Sequence, residues 1–205
     1  CSIQRRHQKL IEEAPSPAID TATRTRMGEL AVAAAKAVGY VGAGTVEFMY
    51  ENGEFFFLEM NTRIQVEHPV TELVTGVDLV AWQIRIAAGE ELDVEVDPGW
   101  PDGHSIECRI SGEDPFQEFF PSTGRVESLY VPTGPGVRWD GGIARGFEVG
   151  LNYDPLLAKL IVHAPDADTL WRRVERSLDE LTISGVHTNA GMLGRLVGTE
   201  QVRAL

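Results

Sequence analysis

The run Glu59-Met60-Asn61-Thr62-Arg63-Ile64-Gln65-Val66-Glu67 puts a carboxylate, an amide, a guanidinium, a second amide and a second carboxylate at every other position. Alternate side chains of an extended strand point to one face. Glu59, Asn61, Arg63, Gln65 and Glu67 therefore share a face for as long as the chain stays extended. Burying five such groups is costly unless each finds a partner. The run follows directly on Phe55-Phe56-Phe57-Leu58, so an apolar strand leads into a polar face. That face suits a site for a metal, an anion and a base better than it suits a core.

The chain has 205 residues, enough for one large domain or two small ones with a real core. Apolar content of 43% and charged content of 24% are ordinary for a globular protein. The net charge of −13 leaves no basic face for nucleic acid. It also argues for a cytoplasmic protein rather than one bound to an anionic membrane. No apolar run approaches the ~20 residues of a membrane span. Cys1 and Cys108 are the two cysteines, and reduced thiols are the simpler reading. The chain opens Cys-Ser-Ile, with no Met and no signal peptide, and is expected to be a piece of a longer protein.

Residues 1–17 read as a strand plus a loop. Asp20 or Thr21 caps a helix running to about Val38, with Met27, Leu30, Ala31, Ala34, Ala35 and Val38 as its apolar stripe and Gly39 at its end. Residues 44–50 and 54–61 read as strands. From Val70 to Ala88 the pattern is helical, broken at Gly76 and capped again at Asp78. Residues 90–103 carry acids, prolines and glycines, and a domain boundary is expected there. Short β-like runs follow at 104–110, 125–131, 136–140 and 155–163. Helices are expected at about 166–181, with Leu170, Val174, Leu178 and Leu181 on one side, and at about 188–197.

The turn between the first two strands near Asn52-Gly53 decides what the polar face can bind. A two-residue Asn-Gly turn pairs Glu51 with Glu54, a register that sets Glu47 and Glu59 on opposite faces. A three-residue loop Glu51-Asn52-Gly53, with Gly53 left-handed, pairs Tyr50 with Glu54, Phe57 with Glu47 and Glu59 with Thr45. Glu47 and Glu59 then lie diagonally on one face, which Asn61 continues. Two carboxylates and an amide oxygen suit Mg2+. On spacing alone, two solvent-facing glutamates fit as well.

The segment EMNTRIQVEHPVTE resembles the active-site strand and loop of the biotin carboxylases, ATP-grasp enzymes that carboxylate biotin in acetyl-CoA, propionyl-CoA and pyruvate carboxylases. CSIQRRHQKLIEEAPSP at 1–17, GYVGAGTVEF at 39–48, ECRISGEDP at 107–115 and YDPLLAKLI at 153–161 resemble the same family in the same order. The resemblance covers essentially the whole chain and corresponds to the second half of such an enzyme. It implies an α+β fold, in which residues 1–95 form the C-terminal lobe of an ATP-grasp domain. Residues 104–205 would form the mixed-sheet biotin carboxylase C-terminal domain.

The same resemblance implies roles. Glu47, Glu59 and Asn61 would hold Mg2+ or Mn2+ against ATP phosphates. Lys9, Arg63, Gln65 and the Val66 amide would bind bicarbonate, for which Arg63 offers a planar fork of donors. Glu67 would act as general base. Arg109 would stabilise the enolate-like oxygen of biotin as its N1 loses a proton. Gln4, His7, Met49, Glu47 and Glu59 would meet ATP. Taken singly, Arg63, Lys9 and Arg109 also read as surface charges, and His7 and Met49 as structural residues. The glycines of Gly39-Tyr40-Val41-Gly42-Ala43-Gly44 do not form a phosphate loop and read as a helix-to-strand turn.

A glycine-rich lid and phosphate-binding lysines are not in this sequence, nor is a Met-Lys-Met biotin attachment motif. The isolated chain is therefore expected to be inactive and to need partners. These are the N-terminal half of a biotin carboxylase, a biotin carrier domain, a carboxyltransferase serving fatty acid biosynthesis or pyruvate, and a homodimer mate. Two alternatives stand beside this reading: a non-catalytic module for assembly or dimerisation, and a different ATP-grasp ligase.

Overall fold

The structure is a computed structural model that describes residues 1–94 and 100–203. Most of the expected boundary at 90–103 is described, but residues 95–99 lie outside it. In chain order the first half carries β1 (Ser2–Arg5), β2 (Gln8–Ala14), α1 (Thr21–Ala37), β3 (Thr45–Glu51), β4 (Glu54–Asn61), α2 (His68–Thr75) and α3 (Leu79–Ala87). The second half opens with β5 (His104–Ser111), followed by the short strands β6 (Glu113–Asp114), β7 (Phe120–Pro121), β8 (Gly124–Arg125) and β9 (Ser128–Tyr130). It continues with β10 (Val137–Gly141), β11 (Glu148–Val149), β12 (Leu156–Ala164), α4 (Ala167–Glu180), β13 (Thr182–Ser184), α5 (Ala190–Val197) and α6 (Glu200–Arg203).

One five-stranded sheet, ordered β1-β2-β5-β12-β10, organises the molecule. Its strands pair antiparallel. The two faces differ because side chains alternate along a strand. Ile106, Cys108 and Ile110 of β5 and Ala158, Leu160 and Val162 of β12 point to one face, where α4 adds Leu170, Trp171, Val174 and Leu178. This is the core. Truncating a fully buried residue there, such as Leu160, should cost roughly 2–5 kcal/mol. The other face carries Glu107, Arg109 and Lys159, with Glu12 on β2, and α2 packs over it. The charged sheet face and the end of the polar run therefore meet.

Residues 1–17 hold two strands rather than one strand and a loop. A hairpin turn at Arg6-His7, both with positive φ (48° and 67°), joins β1 to β2 and escaped the sequence reading because neither residue favours that conformation. Helix α1 begins where expected, with the Asp20 carboxylate accepting from the Thr23 amide. Gly39 follows it at φ 63°. None of its residues is buried, and Leu30 of its apolar stripe is 47% exposed. Gly76 caps α2 in the left-handed conformation and Asp78 caps α3, both as expected. The expected β-run at 125–131 is two short strands, β8 and β9, which pair with β11 and β13.

The β3–β4 hairpin corrects the expected register. Its turn is the two-residue Asn52-Gly53, with both φ positive, and Glu51 pairs with Glu54. Up to Phe48↔Phe57 the ladder runs in the register that would separate Glu47 from Glu59. A bulge then leaves Leu58 unpaired, and the ladder resumes at Glu47↔Glu59, Val46↔Met60 and Thr45↔Asn61. One extra residue shifts every later side chain to the other face. The carboxylates thus come together directly opposite one another, through a bulge and not through a longer turn. Strand β4 stops at Asn61, so Arg63, Gln65 and Glu67 are not held on one strand face, as the alternation had suggested. They are carried on the turn leading into α2.

Candidate functional site

The start of β2, the paired ends of β3 and β4, the turn before α2, the end of β5 and the segment before β12 enclose a cleft of about 320 Å³. That is within the range of small-molecule sites. Its walls carry His7, Lys9, Glu47, Glu59, Asn61, Arg63, Gln65, Val66, Glu67 and Arg109. Ten of the twelve residues singled out in the sequence therefore meet here. Gln4 and Met49 do not line the cleft. Gln4 is exposed and donates to the Ser2 hydroxyl at 2.8 Å, while Met49 is 61% exposed on the hairpin.

Glu67 sits between two cations. Lys9 Nζ donates to its Oε1 in a short contact, and Arg109 Nη2 donates to its Oε2 at 2.8 Å. Partial burial opposes ionisation of Glu67, but the Lys9 hydrogen bond and the positive charges outweigh it and hold the carboxyl below its usual range. For Lys9, burial likewise works against the charge, and the bonds to Glu67 and Glu47 prevail, raising its pKa. Arg109 is anchored on its other side, where Nε donates to Glu12 Oε1 at 2.9 Å. Glu12 is 3% exposed, and burial raises its pKa against the opposing pull of Arg109.

The carboxylate Glu47 Oε1 draws three donors: Lys9 Nζ at 3.2 Å, Asn61 Nδ2 at 3.2 Å and Gln65 Nε2 at 2.5 Å. Asn61 Nδ2 also donates to Glu59 Oε1 at 3.0 Å. Lys9, Asn61 and Gln65 thus offset the negative charge of Glu47, and only Asn61 reaches Glu59. Glu47, Glu59 and, with its amide turned over, Asn61 supply oxygen ligands only, as Mg2+ prefers. Among the described residues no group of three or more His, Cys, Asp or Glu gathers as a self-sufficient metal centre. A cation here would complete its shell with water and substrate oxygens. Gln65 is 8% exposed, and its Oε1 has no hydrogen-bond partner among the described residues, leaving a buried acceptor beside the cleft. Arg63 Nη1 donates to the Ile64 carbonyl at 3.1 Å, and Nη2 lies 3.4 Å from Asn61 Oδ1.

Sequence reasoning missed several supports of the site. Lys159 Nζ donates to the Val66 carbonyl at 2.8 Å and lies 3.7 Å from Asp140. Arg138 bridges Asp140 and Glu72, at 2.8 and 2.7 Å respectively. This chain of charges braces the turn at Val66 and helix α2 against β10 and β12. Asn189 is fully buried; its side chain accepts from the Ser111 amide and donates to the Arg109 carbonyl. Lys159 had a sequence signal, a lone charge inside Leu156-Leu157-Ala158-Lys159-Leu160-Ile161-Val162. Asn189 and Glu12 had none, because their partners are 78 and 97 residues away.

Residues 1–95 match the family described as carbamoyl-phosphate synthase L chain, ATP binding domain, and residues 107–205 match the biotin carboxylase C-terminal domain. A biotin carboxylase of Nostoc sp. is 52% identical over 202 residues, which are 98% of this chain and 45% of that protein. A biotin carboxylase of Allochromatium vinosum is 51% identical over 189 residues, 92% of this chain and 42% of that protein. Among solved structures, the biotin carboxylase domain dimer of Hydrogenobacter thermophilus 2-oxoglutarate carboxylase, in complex with MgADP, ADP and bicarbonate, superposes with a TM-score of 0.96 at 49% identity. The match covers 100% of this chain and 45% of that one. The chain thus spans about half the length of the relatives it matches.

Proposed function

The chain belongs to the biotin carboxylase family, with the α+β fold of an ATP-grasp lobe followed by the family's C-terminal domain, and on that premise we propose that it supplies the bicarbonate- and biotin-facing half of an ATP-dependent biotin carboxylase. The observation that carries the proposal is Glu67, pinned between Lys9 and Arg109 in a cleft that also presents Arg63, Gln65 and Val66. A base, an anion cradle and an arginine for developing charge occur together beside the paired carboxylates.

Bicarbonate would lie against the Arg63 guanidinium, with Lys9, Gln65 and the Val66 amide completing the cradle. Glu67 then accepts the bicarbonate proton. Its low pKa in the present arrangement comes largely from Lys9. An anion that draws Lys9 and Arg63 to itself weakens that hold and makes Glu67 a better base. The freed bicarbonate oxygen attacks the γ-phosphate of ATP, giving carboxyphosphate and ADP. Carboxyphosphate breaks to CO2 and phosphate. The released phosphate takes the proton from biotin N1, which then bonds to the CO2 carbon, while Arg109 stabilises the enolate-like oxygen. Mg2+ or Mn2+ held by Glu47, Glu59 and Asn61 would neutralise phosphate charge during the transfer. His7, Gln4 and Met49 are placed with ATP on the family resemblance alone.

The parent would be an acyl-CoA or pyruvate carboxylase, and biotin would arrive on a carrier domain. A carboxyltransferase would use the product, for fatty acid biosynthesis where the acceptor is an acyl-CoA. A second copy would complete a dimer of the kind named for the Hydrogenobacter domain. Among the described residues no helix is long and apolar enough to cross a membrane. The acidic composition supports the cytoplasm as its compartment.

A second reading, an assembly module without turnover of its own, draws on one observation. Phe56, Phe57 and Leu58 of the hairpin are 55%, 61% and 53% exposed, an apolar strip that another segment would cover. The test measures ADP release from Mg-ATP with bicarbonate and free biotin, by this chain alone and with the preceding segment of a relative supplied in trans. Bicarbonate-dependent release on complementation supports the carboxylase reading. No release with both pieces folded and associated supports the assembly module.

A further inference from the structure

Glu107 is fully buried in the central strand, and neither of its carboxyl oxygens has a hydrogen-bond partner among the described residues. Its cross-strand partner is Glu12, 3% exposed. Glu12 Oε1 accepts from Arg109, but Glu12 Oε2 is also unpartnered and buried. Three orphaned carboxyl oxygens thus lie on two directly opposed residues in the middle of a sheet. Two ionised carboxylates in such a place would repel at low dielectric, with a desolvation cost on each. Two neutral carboxylic acids would leave Arg109 facing a weaker acceptor.

We propose that Glu12 and Glu107 share a single proton, and that this carboxyl–carboxylate pair is the positioning element that fixes Arg109 against Glu67. The proton sits on Glu107 and is donated to Glu12 Oε2, so one hydrogen bond satisfies buried atoms on both residues. Glu12 keeps its negative charge for Arg109. The charged or titratable groups on the surrounding elements are Glu12, Arg109, Lys159, Glu67, His68 and Glu72. Of these, only Arg109 and Lys159 lower the proton affinity of Glu107 appreciably; burial and Glu12 dominate and push it up to about 9. The part of the inference concerning Arg109 rests on the carboxylase reading only for what Arg109 does in turnover. The shared proton stands without it.

Infrared spectroscopy of the 205-residue chain at neutral pH tests the proton directly. Exposed carboxylates are ionised there, so a protonated-carboxyl C=O band should remain in the native chain and vanish in Glu107→Gln. Absence of the band, or its survival in Glu107→Gln, overturns the proposal. For the positioning role, exchange of the Arg109 Nε–H is followed by NMR. Glu107→Gln retains a donor to Glu12 and should keep the native protection, whereas Glu107→Leu should exchange roughly tenfold faster, about the factor lost with a hydrogen bond to a charged group. Equal protection in all three chains overturns the role in positioning. Neither readout involves ATP or biotin, so failure here is distinct from failure of the carboxylase reading.

Discussion

Arg109 Nη2 lies 2.8 Å from Glu67 Oε2, while the same nitrogen is 2.7 Å from Glu12 Oε1. One guanidinium therefore ties the central strand both to its neighbour and to the turn that ends the polar run. Because this guanidinium is what orients the proposed base, its loss should be felt in stability and in chemistry together.

Arg109→Ala strands the buried Glu12 carboxylate. Removing one partner of a buried pair costs about 3–5 kcal/mol, and the partial exposure of Arg109, 18% of its side chain, places the expected loss near the lower end. Urea unfolding measures it. In the complemented enzyme, biotin carboxylation should fall much further than ATP affinity. Equal losses in both would remove Arg109 from the biotin step.

Deleting Leu58 should remove the bulge and leave Glu47 opposite Glu59, because these two form the next pair of the ladder. Leu58 is 53% exposed, so little core is lost and circular dichroism should change little. Mn2+ affinity, followed by electron paramagnetic resonance with nucleotide present, should stay close to native. Glu59→Gln, which removes one of the two carboxylates, should lower it by at least about 10- to 100-fold, the size of effect that lost ligand support produces.

Lys159→Met should loosen the turn at Val66 by removing the donor to its carbonyl. A stability loss of about 1–2 kcal/mol is expected for one such bond. In the complemented enzyme the KM for bicarbonate should rise while that for ATP stays close to native. Lys159→Arg should recover part of the difference.

The pH dependence of stability should have two limbs of opposite sign. Glu67 and Asp140 have lowered folded pKa values: burial opposes this in both, but Lys9 prevails for Glu67 and Arg138 for Asp140. The stability they contribute is present above the unfolded value of about 4 and is lost as pH falls through their folded values. Glu107 has a raised value, about 9, chiefly through burial. Its contribution is full below the unfolded value and declines as pH rises towards about 9. Urea melts across this range should show a maximum on the acid side of neutrality, and Glu107→Gln should flatten the alkaline limb.

How much of this was legible beforehand depends on the range of the interactions. The helices at 21–37, 68–75, 79–87 and 167–180 announce themselves through local caps and glycines such as Asp20, Gly76 and Asp78. The alternation from Glu59 to Glu67 picks out residues that do line one cleft, although only Glu59 and Asn61 are placed there by strand geometry. The register of the hairpin was misread because a bulge at Leu58 leaves no mark in residue type; its turn, Asn52-Gly53, is the common two-residue form. The partners of Glu12, Lys159 and Asn189 lie 97, 93 and 78 or 80 residues away. Pairings of that range are set by the sheet order and not by any local pattern.

The most direct measurement is bicarbonate-dependent ADP release by the complemented enzyme carrying Glu67→Gln, beside Mg-ATP binding by the same protein. Loss of a general base predicts a fall of about 10²- to 10⁴-fold in release with ATP binding nearly unchanged. Native-like turnover in Glu67→Gln would contradict the assignment of Glu67 as the base and, with it, the account of the cleft.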